Sequence, residues 1–122
     1  MNVGELMSKP TCIVDPETTL AEATTVMGEQ RVGSALVMDG ARLDGILTER
    51  DIVRAMSTAH DAPARPVIEW MTKKPTTTSP DTPVREALRM MVDGGFRHLP
   101  ILDGETVVGV LSMRDIAKAL AD

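Results

Sequence analysis

At 122 residues the chain is long enough for one compact domain, or for two small repeats sharing a core, and too short for a large multidomain enzyme. It is 43% apolar and 25% charged, an ordinary globular balance, and 18 acidic against 13 basic side chains give a net charge of -5 that repels a phosphate backbone and argues against nucleic-acid binding. The imbalance is local: residues 1–61 hold 5 basic and 10 acidic side chains and residues 62–122 hold 8 of each, so an anion site is expected in the second half.

A single cysteine, Cys12, excludes an intrachain disulfide, and with His60 and His98 far apart it makes no structural zinc site, so no metal and a reducing, cytoplasmic setting are expected. The opening Met1-Asn2-Val3-Gly4-Glu5 lacks a basic region followed by an apolar stretch, and no apolar run approaches the roughly 20 residues of a bilayer span. With one Trp, one Phe and no Tyr, a planar ligand would be held by aliphatic groups.

In chain order the elements come in two rounds of strand, helix, strand, strand, helix. In the first round Cys12 falls in a predicted strand, Asp39-Gly40 marks a hairpin and Thr48 opens a closing helix. Ser57–Pro66, with His60-Asp61-Ala62-Pro63 and Arg65-Pro66, has linker composition. In the second round Thr82-Pro83 reads as an N-cap followed by proline at the first helical position, and Val84, Ala87, Leu88, Met91 and Val92 recur at helical spacing. Gly94-Gly95 stops that helix, Leu99–Leu102 and Thr106–Leu111 are strands around Asp103-Gly104, and Ser112 opens the last helix.

The rounds are copies. At an offset of 64 residues, and without a gap from Pro16/Pro80 onward, identities include Glu22/Glu86, Ala23/Ala87, Met27/Met91, Gly40/Gly104, Gly45/Gly109, Leu47/Leu111, Arg50/Arg114 and Asp51/Asp115; upstream, Met7 matches Met71. A repeat of about 60 residues cannot cover its own sheet face, so the expected fold class is α/β (α+β), two pseudo-symmetric βαββα repeats packed sheet to sheet. Boundaries are read as repeat 1 at 1-58, a linker at 59-66 and repeat 2 at 67-122. Pseudo-symmetric pairing is expected to leave two related clefts for ligands.

Two equivalent segments carry the chemistry, Gly45-Ile46-Leu47-Thr48-Glu49-Arg50-Asp51 and Gly109-Val110-Leu111-Ser112-Met113-Arg114-Asp115. The plain structural reading is a capping box, a hydroxyl and a carboxylate serving orphan amides at a helix start. Together with the duplication and the Asp-Gly hairpins, the paired segments make the chain resemble a tandem pair of CBS domains, named after cystathionine beta-synthase, over essentially all its length. The resemblance implies a stand-alone regulatory or signal-transduction module that binds an adenosine-containing ligand (AMP, ADP, ATP, NAD or S-adenosylmethionine) and assembles as a homodimer.

On that resemblance Asp115 and Asp51 match the ribose-binding position, since an ionised aspartate accepts from both ribose hydroxyls. Ser112 and Thr48 lie where a helix N-terminus presents free amides to phosphate oxygens. The site with the repeat 2 motif is expected to comprise Ser112, Asp115, the basic pair Arg97 and His98 for phosphates, and Thr11, Cys12, Val32 and Gly33 against adenine. A weaker companion would use Ser34, Thr48, Asp51, Thr76 and Phe96. The plain readings are a solvated charge for Arg97, a structural histidine for His98, a small buried apolar residue for Cys12 and, for Trp70, packing under the segment that leads into the second repeat or at a dimer contact.

Signalling is expected through a conformational or dimer-geometry change on an unknown effector protein, with no membrane or nucleic-acid partner. The alternative is a ligand-free interaction scaffold whose aspartates act only as helix caps. No catalytic residues are expected: no Ser-His-Asp or Cys-His arrangement, P-loop, G-x-G-x-x-G or metal cluster is present.

Overall fold

A computed structural model of the protein describes residues 1–121; Asp122, the end of the second repeat as read from the sequence, lies outside the described residues. The elements are α1 (Val3–Leu6), β1 (Ile13–Val14), α2 (Leu20–Gln30), β2 (Ser34–Asp39), β3 (Arg42–Thr48), α3 (Glu49–Thr58), 3₁₀ turns at Ala62–Ala64 and Val67–Glu69, β4 (Thr72–Lys73), α4 (Val84–Gly94), β5 (His98–Asp103), β6 (Thr106–Ser112) and α5 (Met113–Ala121). This is the mixed α and β architecture expected from the sequence.

The chain forms two compact units. One is Thr11–Pro75, here the Asp51 unit; the other, the Asp115 unit, joins Met1–Pro10 to the chain from Thr76 onward. Each short lead-in segment thus folds with strands remote from it in sequence. In the Asp51 unit the sheet order is β1-β2-β3-β4, with β1 parallel to β2, Ser34 opposite Thr48, and Thr72 of β4 opposite Ile46 of β3. The Asp115 unit repeats the layout in reduced form: β5 and β6 form a hairpin, Thr78 bridges to Ile101 in the parallel sense, and Ser8 bridges to Val110.

Local chemistry accounts for most boundaries. Thr19 and Glu22 form a capping box at the start of α2, whose Leu20, Ala23 and Met27 face the core. Both hairpins turn through a glycine at positive φ, Gly40 at 61° and Gly104 at 65°, a conformation that disfavours a Cβ. Gly95, at φ 73°, ends α4 as expected.

The start of α4 differs from expectation by one residue. Pro83 (ψ 140°) is the extended N-cap and not the first helical residue; the Thr82 hydroxyl lies 2.6 Å from that of Thr78, and the Met1 carbonyl accepts from the Val84 amide at 3.0 Å. Val92 is likewise not on the buried face of α4, being 64% exposed.

Each unit has its own core. Leu20, Met27, Val37 and Leu47 anchor the Asp51 unit, and Met91, Leu99, Ile101 and Leu111 the Asp115 unit, each such side chain contributing about 1.5–3 kcal/mol by burial. The connecting stretch belongs to the Asp51 core: Ala62 is fully buried, the Arg65 carbonyl accepts from the Leu20 amide at 2.9 Å, and the Val67 amide donates to Thr18 at 2.8 Å.

The motif glycines have a packing role that the sequence pattern did not reveal. A Cβ on Gly45 would stand 2.6 Å from the Thr72 carbonyl oxygen and 2.7 Å from the Met71 sulfur; one on Gly109 would stand 2.5 Å from the Met7 sulfur and 2.9 Å from the Ser8 carbonyl oxygen. Only glycine lets the lead-in backbone pass this close.

Candidate functional site

Both motifs are built as strand, hydroxyl N-cap, helix. In the Asp51 unit the Asp51 amide donates to Thr48 Oγ1 at 3.3 Å and the Thr48 amide donates to Asp51 Oδ2 at 3.0 Å. In the Asp115 unit the Asp115 amide donates to Ser112 Oγ at 3.0 Å and the Ser112 amide donates to Asp115 Oδ2 at 2.9 Å. The capping reading of both motifs therefore holds.

Beyond the cap the carboxylates part company. Asp51 is 5% exposed and its carboxylate is ringed by donors. Thr48 Oγ1 donates to Oδ2 at 3.1 Å, Thr72 Oγ1 lies 3.3 Å from both oxygens, and Arg54 Nη2 is 3.4 Å from Oδ1. The same Arg54 Nη2 donates to the Trp70 carbonyl at 2.8 Å. Asp115 is half-buried, and its Oδ1 has no partner among the described residues; the Ser112 hydroxyl likewise keeps a free proton. An ionised carboxylate offers about four acceptor directions over its two oxygens. Asp115 can still accept from a pair of hydroxyls, and Asp51 is saturated.

The row of free amides expected at the helix starts is partly taken up by the chain itself. Besides the Asp115 amide, the Met113 amide is engaged, donating to the Arg97 carbonyl at 2.9 Å, and the Glu49 amide donates to the Gly33 carbonyl at 3.1 Å.

The other expected residues group by unit. In the Asp115 unit His98 pairs in register with Ser112, and Arg97, which precedes it, carries an exposed side chain. The backbones of Arg97, His98 and Ser112 thus lie side by side, with Asp115 on the following turn. Thr76 is exposed, whereas the Phe96 ring packs on the core and lies over Gly94, where no Cβ would fit. In the Asp51 unit Ser34 is buried opposite Thr48. Thr11 and Gln30 hold each other through two 3.2 Å hydrogen bonds, and Val32 is 39% exposed, apolar surface suited to a planar ring. Cys12 is buried, its carbonyl accepts from the Leu36 amide at 2.9 Å, and burial raises its thiol pKa.

Thr72, Arg54 and the contact between Arg54 and Trp70 escaped sequence reasoning. Their signal was the 64-residue offset itself, which sets Thr72 against Ser8 and Arg54 against Lys118. Trp70 packs on the core of the Asp51 unit.

With the site described, comparison with known proteins is decisive for the family. The profile of the CBS domain matches residues 3–58 and 67–122. The chain belongs to the CBS domain family, as a pair of such domains. It is 42% identical over 122 residues, 98% of this chain and 73% of the relative, to a 17.7 kDa protein in the bps2 3′ region of Acidianus ambivalens. It spans only 20% of the length of the Arabidopsis thaliana CBS domain-containing proteins that it also matches. Among solved structures, the CBS-domain containing protein ATU1752 from Agrobacterium tumefaciens superposes with a TM-score of 0.93 at 26% identity, covering 98% of this chain and 99% of that one. The CBS domain protein PAE2072 from Pyrobaculum aerophilum, solved in complex with AMP, superposes at 0.87 with 28% identity, covering 99% and 98%. No helix among the described residues is long and apolar enough to cross a membrane.

Proposed function

We propose that the protein is a non-catalytic regulatory module that binds an adenosine-containing ligand, with Asp115 accepting from the ribose hydroxyls. The observation that carries this reading is the Asp115 oxygen that has no partner among the described residues, beside a hydroxyl whose proton has none there either, in the same unit as Arg97 and His98. Arg97 and His98 are the candidate phosphate contacts, and Thr11, Cys12, Val32 and Gly33 the candidate adenine contacts. Ser34, Thr48, Asp51, Thr76 and Phe96 form the weaker set. AMP, ADP, ATP, NAD and S-adenosylmethionine are the candidate ligands, and the AMP complex of a relative 28% identical to this chain supports that class.

In this reading the module works in the cytoplasm as a homodimer and signals to an effector protein through a conformational or dimer-geometry change. Exposed Val53 and Met56 on one face of α3, and Leu120 on α5, supply apolar surface for a second copy.

The test is thermal unfolding of wild type and Asp115→Ala against each of the five compounds. A ligand at 100 times its Kd stabilises by about 2.7 kcal/mol, a rise of roughly 10 °C for a chain of this size. A rise with at least one compound, absent in Asp115→Ala, is expected. No rise with any of them would leave the aspartates as helix caps and the protein as an interaction scaffold.

A further inference from the structure

We infer that the Asp51 motif is closed by its own chain: the Thr72 hydroxyl and the Arg54 guanidinium stand on the carboxylate where a ribose would donate, so each chain takes one adenosyl ligand, at Asp115. This rests on the ligand class proposed above and adds its stoichiometry and the device that sets it.

The closure is built from three fixed parts. Strand pairing of Thr72 with Ile46 and of Lys73 with Gly45 sets the Thr72 backbone, and the missing side chain of Gly45 lets it come close. Threonine is β-branched and restricted in χ1, so its hydroxyl stays within 3.3 Å of both carboxylate oxygens. Arg54 reaches Asp51 Oδ1 from the next turn of α3 and is anchored at the Trp70 carbonyl. A ribose diol would add two donors to a saturated acceptor, and it gains entry only by displacing Thr72 and Arg54.

The Asp115 unit provides the control. Ser8 occupies the place of Thr72, with reciprocal backbone hydrogen bonds of 2.9 Å to Val110, yet its unbranched side chain makes no hydrogen bond to Asp115. Lys118 replaces Arg54, and no ion pair to Asp115 forms among the described residues. Two substitutions at equivalent positions separate a closed motif from an open one.

The experiment is equilibrium dialysis of the full chain against AMP, ADP, ATP, NAD and S-adenosylmethionine in turn, wild type beside Thr72→Val/Arg54→Gln. Both changed side chains are exposed, so the fold should survive. Wild type is expected to saturate at one ligand per chain and the double variant at two. Two ligands on wild type, one of them lost in Asp51→Asn, would overturn the inference, as would a double variant that still binds one. If none of the five binds to either protein, the ligand reading fails, and closure is then decided without ligand by a urea double-mutant cycle on Asp51→Asn and Thr72→Val. The internal contact requires the midpoint shift of the double variant to be smaller than the two single shifts together, and strict additivity would overturn it.

Discussion

The two units follow one blueprint and end with carboxylates in opposite conditions. Each closes its sheet with a glycine-bearing strand, caps the following helix with a hydroxyl and returns an aspartate to the cap. Asp51 then accepts from a threonine and stands beside an arginine, while Asp115 keeps an oxygen without a partner among the described residues. Repetition of a motif therefore does not imply repetition of a site: the cap is common to both units, and the lead-in residue together with the residue one turn further along the helix decides what else the aspartate can do.

The comparison is broken most forcefully at the motif glycines. Gly45→Ala drives a Cβ into backbone, the Thr72 carbonyl at 2.6 Å, whereas in Gly109→Ala the closest atom is the mobile Met7 sulfur and the Ser8 carbonyl lies at 2.9 Å. We expect about 4 kcal/mol of destabilisation for Gly45→Ala and about 2 kcal/mol for Gly109→Ala, read as urea midpoints. Equal losses would mean that the two lead-in segments pack with the same tolerance.

Next in size come the aspartates. Asp51→Ala strips a buried acceptor from the Thr48 amide, the Thr72 hydroxyl and Arg54, and is expected to cost about 3 kcal/mol. Asp115→Ala removes a half-buried cap partner and should cost about 1 kcal/mol. Thermal midpoints at neutral pH give the order directly. A larger loss for Asp115→Ala would contradict the claim that Asp51 carries the heavier structural role.

What the sequence disclosed follows from locality. The hairpins at Gly40 and Gly104, the stop at Gly95 and the hydroxyl-to-aspartate caps all depend on residues within four positions of one another, and the offset doubled the hairpin and cap signals, though not the stop, where Arg31 stands opposite Gly95. The lead-in segments are the opposite case: Thr72 contacts Asp51 across 21 positions, through a two-residue strand too short to show periodicity. The offset even masked the difference, because Ser8 and Thr72 are conservative counterparts in an alignment and unlike in rotamer freedom. Pro83 escaped for a related reason: the Met1 carbonyl that caps its helix comes from the far end of the chain.

The smallest expected effect concerns Cys12, which belongs to the Asp51 unit and has Thr76 as its counterpart at the 64-residue offset. Burial raises the Cys12 pKa, so the thiol is neutral in the folded protein at neutral pH and ionises more readily when unfolded, near pH 8.5. Its contribution is fully present below the unfolded pKa and is lost as pH rises through the folded one. Wild type should therefore lose stability between pH 8 and 10 more steeply than Cys12→Ala, by under about 1 kcal/mol across that range, whatever constant cost the lost sulfur imposes. Urea midpoints at several pH values measure the difference in slope. The thiol should also react with a disulfide reagent about tenfold or more slowly than free cysteine. Parallel slopes and fast labelling would mean that the β1 edge of the Asp51 unit opens readily in solution.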